Sequence, residues 1–477
     1  MRLARSTTTL VLTFVLSSYL LFASGVNGQT HAVRIDSLMR ALVEREQFNG
    51  SILVADHGRV IVQRGFGSAD RKRAIAFTAD TPVYLASLSK QFTAMAIMIL
   101  AEHHKLSYDD TLSIYFQELP PYAQKITIRQ LLNHTSGIPD YVSLGMEHAG
   151  LTNADVINAL TKKTQPDFAA GDQFEYSNSN YVLLAAIIEK VSGQSYPRFL
   201  KQQIFAPLQM DHTFVYTKQA ANEPRAHGYN RFGDDDDYDL LTYGEGGIYS
   251  TARDMFKWDR ALYTEKLVKQ STLHEAFTPG KLNDGQFTNY GFGWGISEVN
   301  GVPVYSHAGR YGGFDTYIKR FPSEDSVIIF LTNHDFKNMS AIGNALINVL
   351  HDQPYALPKL SIAELLFKTY RAKEISAAVE QYRALKKNND AAYDFSESEL
   401  NELGYELLGK YQPSDAVEIL KLNVEAYPDS WNVYDGLAEA YMKNGNRELA
   451  IANYKKSLAL NPKNTNAVTM LKQLGAP

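Results

Sequence analysis

The stretch "VYLASLSKQFTAMAIMIL", Val83 to Leu100, carries a serine and a lysine three positions apart, Ser87 and Lys90. Phe92, Met95, Ala96, Ile99 and Leu100 then follow the i, i+3, i+4, i+7, i+8 stripe of a buried helix face. Ser87 stands where that helix should begin, and a serine there can simply cap it. Lys90 falls nearly beneath Ser87 on the same face. Its neighbours are apolar, and a lysine turned toward a core loses solvation, which lowers its pKa toward that of a base working near neutrality. The Ser87 N–H would point out from the positive helix end, suited to a developing oxyanion. A capped helix and a nucleophile beside its own base are both compatible with this stretch.

Two further stretches bear on the choice. "GDQFEYSNSNYVLLAAIIEKVSG" places Tyr176 and Asn178 just before an apolar helix, and "YSHAGRYGGF" places His307 and Gly309 on an edge strand. S-x-x-K, Y-x-N and [K/H]-x-G in this order resemble the penicillin-recognising serine hydrolases: class C β-lactamases, D-Ala-D-Ala carboxypeptidases and related esterases. "ITIRQLLNHTSGI", "GEGGIYSTARDM" and "YGFGW" agree with that family's texture. The resemblance spans roughly residues 30 to 355.

The resemblance implies roles. Ser87 would be acylated, with Lys90 and Tyr176 sharing the proton work. A tyrosine holds its proton until about pH 10, so as a base Tyr176 would need positive charge nearby, from Lys90 and from His307 if protonated. Asn178 would bond the substrate's amide or ester side chain, and Gly309 would let substrate backbone approach the strand. The oxyanion hole would be the N–H of Ser87 with one on that strand, at Arg310. His307 stands where the family's β-lactamases carry a lysine for the substrate carboxylate. That resembles the peptidase and esterase branches rather than β-lactamase proper; Arg310 is an alternative carboxylate contact.

Elsewhere, "GSILVADHGRVIVQRGFG" predicts a hairpin about Asp56-His57-Gly58, and strand runs return at "GVPVYSHAG", "FDTYIKRF" and "SVIIFLTN" before a helix through "NMSAIGNALINVL". Strands at both ends with helices between predict an α+β fold: one antiparallel sheet closed by the two ends, with a helical insert beside a groove. With the resemblance, this is a β-lactamase/transpeptidase-like fold. Pro354 and Pro358 mark a linker. Beyond it Leu400, Leu403, Gly404, Leu407, Ala416, Leu420 and Pro428 recur 34 positions on as Tyr434, Leu437, Ala438, Tyr441, Ala450, Tyr454 and Pro462. Large, small and proline positions at that period resemble tetratricopeptide repeats, an all-α module offering a surface to a protein partner.

The expected organisation is therefore a signal peptide over 1–28, a serine hydrolase domain over 29–355 and tetratricopeptide-like helical repeats over 356–477. The signal reading rests on Arg2 and Arg5 before an apolar run that Thr13, Ser17 and Ser18 interrupt, which argues against a stable membrane span. It implies export, to a periplasm or outside the cell. Its cleavage would take the net charge from −5 to −7, and that acidity argues against nucleic-acid binding. With Cys 0, disulfides, thiolate metal sites and a cysteine nucleophile are excluded. No metal or organic cofactor is expected: "GDDDDYD" (Gly233–Asp239) lacks EF-hand spacing and reads as a solvated loop. His103 and His104 suit a helix end, and "ESELN" (Glu397–Asn401) a helix start. The expected activity is an exported serine hydrolase acting on D-amino-acid peptides or small esters. A β-lactamase proper and a catalytically silent ligand-sensing protein are the alternatives.

Overall fold

The computed structural model describes residues 30–299 and 301–476; the expected signal segment lies outside them. The chain divides into two compact units, one ending at Leu357 and one comprising Pro358–Pro477. No helix among the described residues is long and apolar enough to cross a membrane.

The first unit is built on a six-stranded antiparallel sheet. In chain order its strands are β1 (Gly50–Asp56), β2 (Arg59–Phe66), β3 (Gly295–Val299), β4 (Val302–Tyr311), β5 (Phe314–Phe321) and β6 (Ser326–Thr332), arranged β2-β1-β6-β5-β4-β3. β1 pairs with β6 in the register Gly50↔Thr332, so both ends of the unit meet at the middle of the sheet. The β1–β2 hairpin turns through His57 (φ 48°) and Gly58 (φ 73°), both in the left-handed region that a tight two-residue turn requires.

β1 and β6, neither of them an edge strand, read as continuous apolar runs because both their faces are covered. Ile52, Val54, Ile328 and Phe330 enter one core with Ile35, Leu38 and Leu42 of helix α1 (30–44) and with Ile342 and Leu346 of the helix Met339–Leu350. Leu53, Ala55, Val327, Ile329 and Leu331, one position out of phase, enter a second core with α2 (Lys90–Glu102) and α3 (Asn178–Ser192). Every residue of α2 from Lys90 to Leu100 is buried, well beyond the single stripe its periodicity predicts. Two of its polar side chains find partners, though Gln91 Nε2 is buried without a well-formed hydrogen bond among the described residues. The Trp258 indole donates to Gln91 Oε1 at 2.9 Å, and the Thr93 hydroxyl donates to Gly244 O at 2.6 Å.

β4 outruns its neighbour. β3 pairs with Val302–Ser306, while His307–Tyr311 pair with β5 on their other side. The edge left beyond Ser306 is where the turn carrying Ser87 packs.

Among the described residues the second unit has seven helices, Ile362–Ala372, Ile375–Lys387, Glu397–Lys410, Pro413–Ala426, Trp431–Lys443, Arg447–Leu460 and Thr465–Gln473, with a two-stranded pairing of Leu360–Ser361 with Tyr393–Asp394. The recurring positions Leu400, Leu403, Leu407, Ala416, Leu420, Leu437, Ala438, Ala450 and Tyr454 are buried. Glu397–Asn401 opens a helix, as its composition predicts.

Candidate active site

Ser87 sits in a short 3-10 turn, Ala86–Ser89, that leads into α2 at Lys90. Position 89 is the N-cap, and neither the turn nor α2 has a side-chain cap bond at its start, so capping does not account for Ser87. The turn is clamped from two sides. Leu85 N–H donates to Ile248 O at 2.8 Å, and the Thr316 hydroxyl of β5 donates to Leu85 O at 2.7 Å. Between the clamp and the nucleophile, buried Ala86 is held at φ 48°. A non-glycine residue in that region costs of order 1–3 kcal/mol and persists because its surroundings over-determine it. Ser87 itself is only half-buried while Tyr84–Ala86 and Leu88–Lys90 are buried, so the hydroxyl is the part of the turn that solvent or a substrate reaches.

Gly309 explains why the turn can lie against β4. A Cβ at position 309 would stand 2.3 Å from Leu85 O and 3.0 Å from Ser87 N. The glycine is therefore required by the nucleophile's own backbone, not only by an approaching substrate.

The Lys90 ammonium donates to Ser87 Oγ at 3.1 Å, to Asn178 Oδ1 at 2.8 Å and to the main-chain oxygen of Glu245 at 2.8 Å. Burial drives the lysine pKa down to about 7, against the opposing pull of Glu245 and Asp140. Asn178 opens α3. Its N–H donates to Asp140 Oδ1 at 3.0 Å and its amide nitrogen to Asp140 Oδ2 at 3.2 Å. The amide thus bridges Lys90 and Asp140, leaving one hydrogen and one lone pair for a substrate.

Tyr176 has its hydroxyl buried, without a well-formed hydrogen bond among the described residues. Its ring lies 4.8 Å from Lys90 Nζ. Burial raises its pKa, the Ser87 hydroxyl opposing and Asp140 and Glu245 reinforcing the rise. Burial thus outweighs the Lys90 charge beside the ring and favours the protonated phenol at Tyr176.

His307 is engaged at both ring nitrogens. Its Nδ1–H donates to Ala308 O at 2.7 Å and its Nε2 accepts from the Tyr290 hydroxyl at 2.8 Å. Burial, then the Lys90 charge, takes its pKa down to about 4, so it carries no charge near neutrality. The Arg310 side chain is likewise engaged: Nε donates to Asp315 Oδ1 at 2.7 Å and Nη2 to Phe336 O at 3.4 Å. Even beside Arg310, burial lifts the Asp315 pKa to about 7.

Three groups around the site, buried Glu245 and His134 and half-buried Asp140, were not singled out for catalysis by sequence reasoning. Glu245 comes from the glycine-rich turn before Ile248–Ser250, and Asp140 from the Pro-Asp loop after His134. The His134 ring, fully buried, packs 4.2 Å from that of Tyr176, and its Nδ1 accepts from Ser177 N–H at 3.2 Å. Burial depresses its pKa, with Lys90 and His307 adding to the effect. No metal-binding cluster occurs among the described residues.

A hydroxyl against a neutral-capable amine, with a phenol O–H alongside and backbone N–H groups on an open strand edge, can form and hydrolyse an acyl ester. The known proteins that resemble this chain agree. Penicillin-binding protein 4* of Bacillus subtilis (strain 168) is 34% identical over 356 residues, 69% of this chain and 78% of its own. The octameric penicillin-binding protein homologue from Pyrococcus abyssi superposes with a TM-score of 0.61 at 27% identity, covering 70% of this chain and 80% of that one. A D-amino acid amidase from Ochrobactrum anthropi SV3 shares the fold at 24% identity and a TM-score of 0.57, covering 68% of this chain and 97% of that one. The family model described as Beta-lactamase matches residues 35–353. With Ser87 and Lys90 joined at the core of that match, the chain belongs to the Beta-lactamase family, as a serine hydrolase of the β-lactamase fold.

Proposed function

We propose that the chain is an exported hydrolase working through an acyl-enzyme on Ser87, with ester or amide substrates such as D-amino-acid peptides or small esters. The observation that carries this reading is the 3.1 Å contact between Ser87 Oγ and a buried Lys90 whose pKa lies near 7. In the proposed step, neutral Lys90 takes the Ser87 proton as Oγ attacks the acyl carbonyl. The Ser87 N–H and a strand N–H at Arg310 hold the oxyanion, each such donor being worth about 2.7–4 kcal/mol. As the C–N or C–O bond breaks, the leaving group takes the Tyr176 proton, which the Lys90 ammonium replaces. Water then hydrolyses the acyl ester and regenerates Ser87.

The neutral His307 and the engaged Arg310 favour esters and amides that carry no carboxylate over β-lactams, because neither offers a free cation to a substrate carboxylate. We read residues 1–28 as a cleaved signal and the helices after Pro358 as tetratricopeptide-type repeats that take a protein partner. Support for the repeats is the 34-residue recurrence of buried large and small positions.

The test is labelling with an activated acyl ester or fluorescent penicillin, followed by mass mapping, and rates on p-nitrophenyl esters, a D-Ala-D-Ala peptide and a chromogenic cephalosporin. Label on Ser87 and turnover of ester or peptide ahead of cephalosporin are expected. An unlabelled Ser87 with no turnover of any of them makes the chain a binding protein instead.

A further inference from the structure

We propose that the side chain of Glu245 is a positioning residue that governs when Lys90 can take the Ser87 proton, an inference that rests on the acyl-enzyme reading above. The main-chain oxygen of Glu245 accepts from Lys90 at 2.8 Å, a contact any residue at that position can make. The side chain needs a separate account. Glu245 is flanked by Gly244, Gly246 and Gly247, yet its carboxyl is turned inward and the residue is only 5% exposed. The Tyr141 hydroxyl donates to Oε1 at 3.1 Å, while Oε2 is buried without a well-formed hydrogen bond. A carboxyl placed there is costly unless a charge nearby answers it. Lys90 is that charge.

The two groups act on each other. The Glu245 carboxylate is the largest influence favouring the Lys90 ammonium; the carboxylate is in turn favoured by the Thr242 hydroxyl and then by Lys90, while burial opposes both charges. Burial is the stronger effect on each, so the lysine is pulled down and the carboxyl pushed up, and their protonation is linked.

The other titratable groups around the pair are accounted for. Asp140, on the far side of Asn178, adds to the pull on Lys90. His134 and His307 are both held neutral by burial and by the Lys90 charge. Tyr141, Tyr84, Tyr176 and Tyr238 face the carboxyl as phenols, their ionisation pushed up by burial and further by Glu245. Tyr196, Tyr243 and Tyr311, farther round, behave alike. Of the groups around the pair, those that burial pulls toward a change of charge are Lys90 itself and the Glu245 carboxyl. A charged Glu245 keeps Lys90 protonated to higher pH, and it also stabilises the ammonium formed when the Ser87 proton arrives.

The test is the pH profile of kcat/KM for ester hydrolysis by the full chain carrying Glu245→Gln, beside Glu245→Asp. Removing the carboxylate should move the acid limb to lower pH by about one unit, on the order of what a neighbouring opposite charge does. The rate at the optimum should fall, and the aspartate variant should return the limb toward its original place. If the glutamine variant does not fold, Tyr141→Phe should shift the limb in the same direction by less, since it removes a bond that favours the carboxylate. A folded, active glutamine variant whose limb stays put or moves upward overturns the role of Glu245 alone, as does an aspartate variant indistinguishable from it. A parent protein that neither labels nor turns over any ester removes the acyl-enzyme reading, and this inference with it.

Discussion

The Tyr290 hydroxyl donates a hydrogen bond to Nε2 of His307 at 2.8 Å, and burial keeps that tyrosine protonated. With Nδ1–H committed to Ala308 O, neither ring nitrogen is left to bind a carboxylate as a cation. The parent enzyme should therefore show no rate advantage for a carboxylate-bearing ester over its neutral analogue. His307→Lys should create one, because an ammonium would stand on the strand edge beside Ser87. Rates on the matched pair of esters check this; a ratio equal to or below the parent's would exclude position 307 as a carboxylate contact.

His307 also links stability to pH. Its folded pKa, about 4, is depressed below the ordinary 6.5, so between those values the unfolded chain binds a proton that the folded one does not. Stability carried by the neutral ring is fully present above 6.5 and falls as pH drops toward 4. Asp315, raised to about 7, acts in the opposite sense over the same range. The informative quantity is thus a difference between variants. His307→Gln, which keeps an acceptor for Tyr290, should flatten the acid-side loss of unfolding free energy by about one proton's slope, roughly 1.4 kcal/mol per pH unit. Denaturant titrations of both proteins from pH 4 to 6.5 measure it, and parallel curves would rule out a neutral buried His307.

Lys90 sets the expected activity profile. A base with pKa about 7 must lose its proton before it can act, so kcat/KM should rise with pH through that value. Lys90→Arg should lose the limb together with about 10²- to 10⁴-fold in rate, since an arginine never becomes a base. A variant that keeps most of its activity would assign the proton to another group.

How much of this site could be read in the sequence differs by residue, for physical reasons. Ser87, Lys90, Tyr176 and Asn178 were legible because each sits at a helix start, where spacing fixes its neighbours. The charge of His307 was not. It depends on burial and on the Lys90 charge, and that burial is complete only when distant segments, among them the loop carrying Tyr290, fold against β4. Asp140 and Glu245 come from loops whose meeting at Lys90 depends on α2 and α3 packing together. In the fold, the hairpin at His57-Gly58 was readable from its turn residues. The two-sided burial of β1 and β6 showed only as an absence of alternation, which a buried helix segment shares.

Gly309 offers a test of the nucleophile's setting. In Gly309→Ala the methyl would meet Leu85 O at 2.3 Å and Thr316 Oγ1 at 2.4 Å, so the Ser87 turn must move off β4. The sheet partners of β4 elsewhere are untouched, so folding should be preserved while the labelling rate at Ser87 falls at least 10²-fold, as expected when an oxyanion donor is misplaced. A folded variant labelled at the parent rate would show that the turn does not depend on this close approach.

Arg320 on β5 ties the sheet to the helix Ala252–Ala261. Its Nε donates to Asp259 Oδ1 at 2.5 Å, and the two residues are 2% and 0% exposed. The guanidinium also lies 4.7 Å from the Tyr263 ring centroid, so it is packed as well as paired. Asp259→Ala would leave that charge buried without its carboxylate, at a cost of about 3–5 kcal/mol. Replacing both, Asp259→Ala with Arg320→Met, removes the stranded charge and should recover a large part of the loss. Arg260, which also donates to Asp259 but is partly exposed, should matter much less when changed to alanine. Urea denaturation of the three variants separates these cases, and a double variant no more stable than Asp259→Ala alone would show that the loss comes from packing rather than from an unanswered charge.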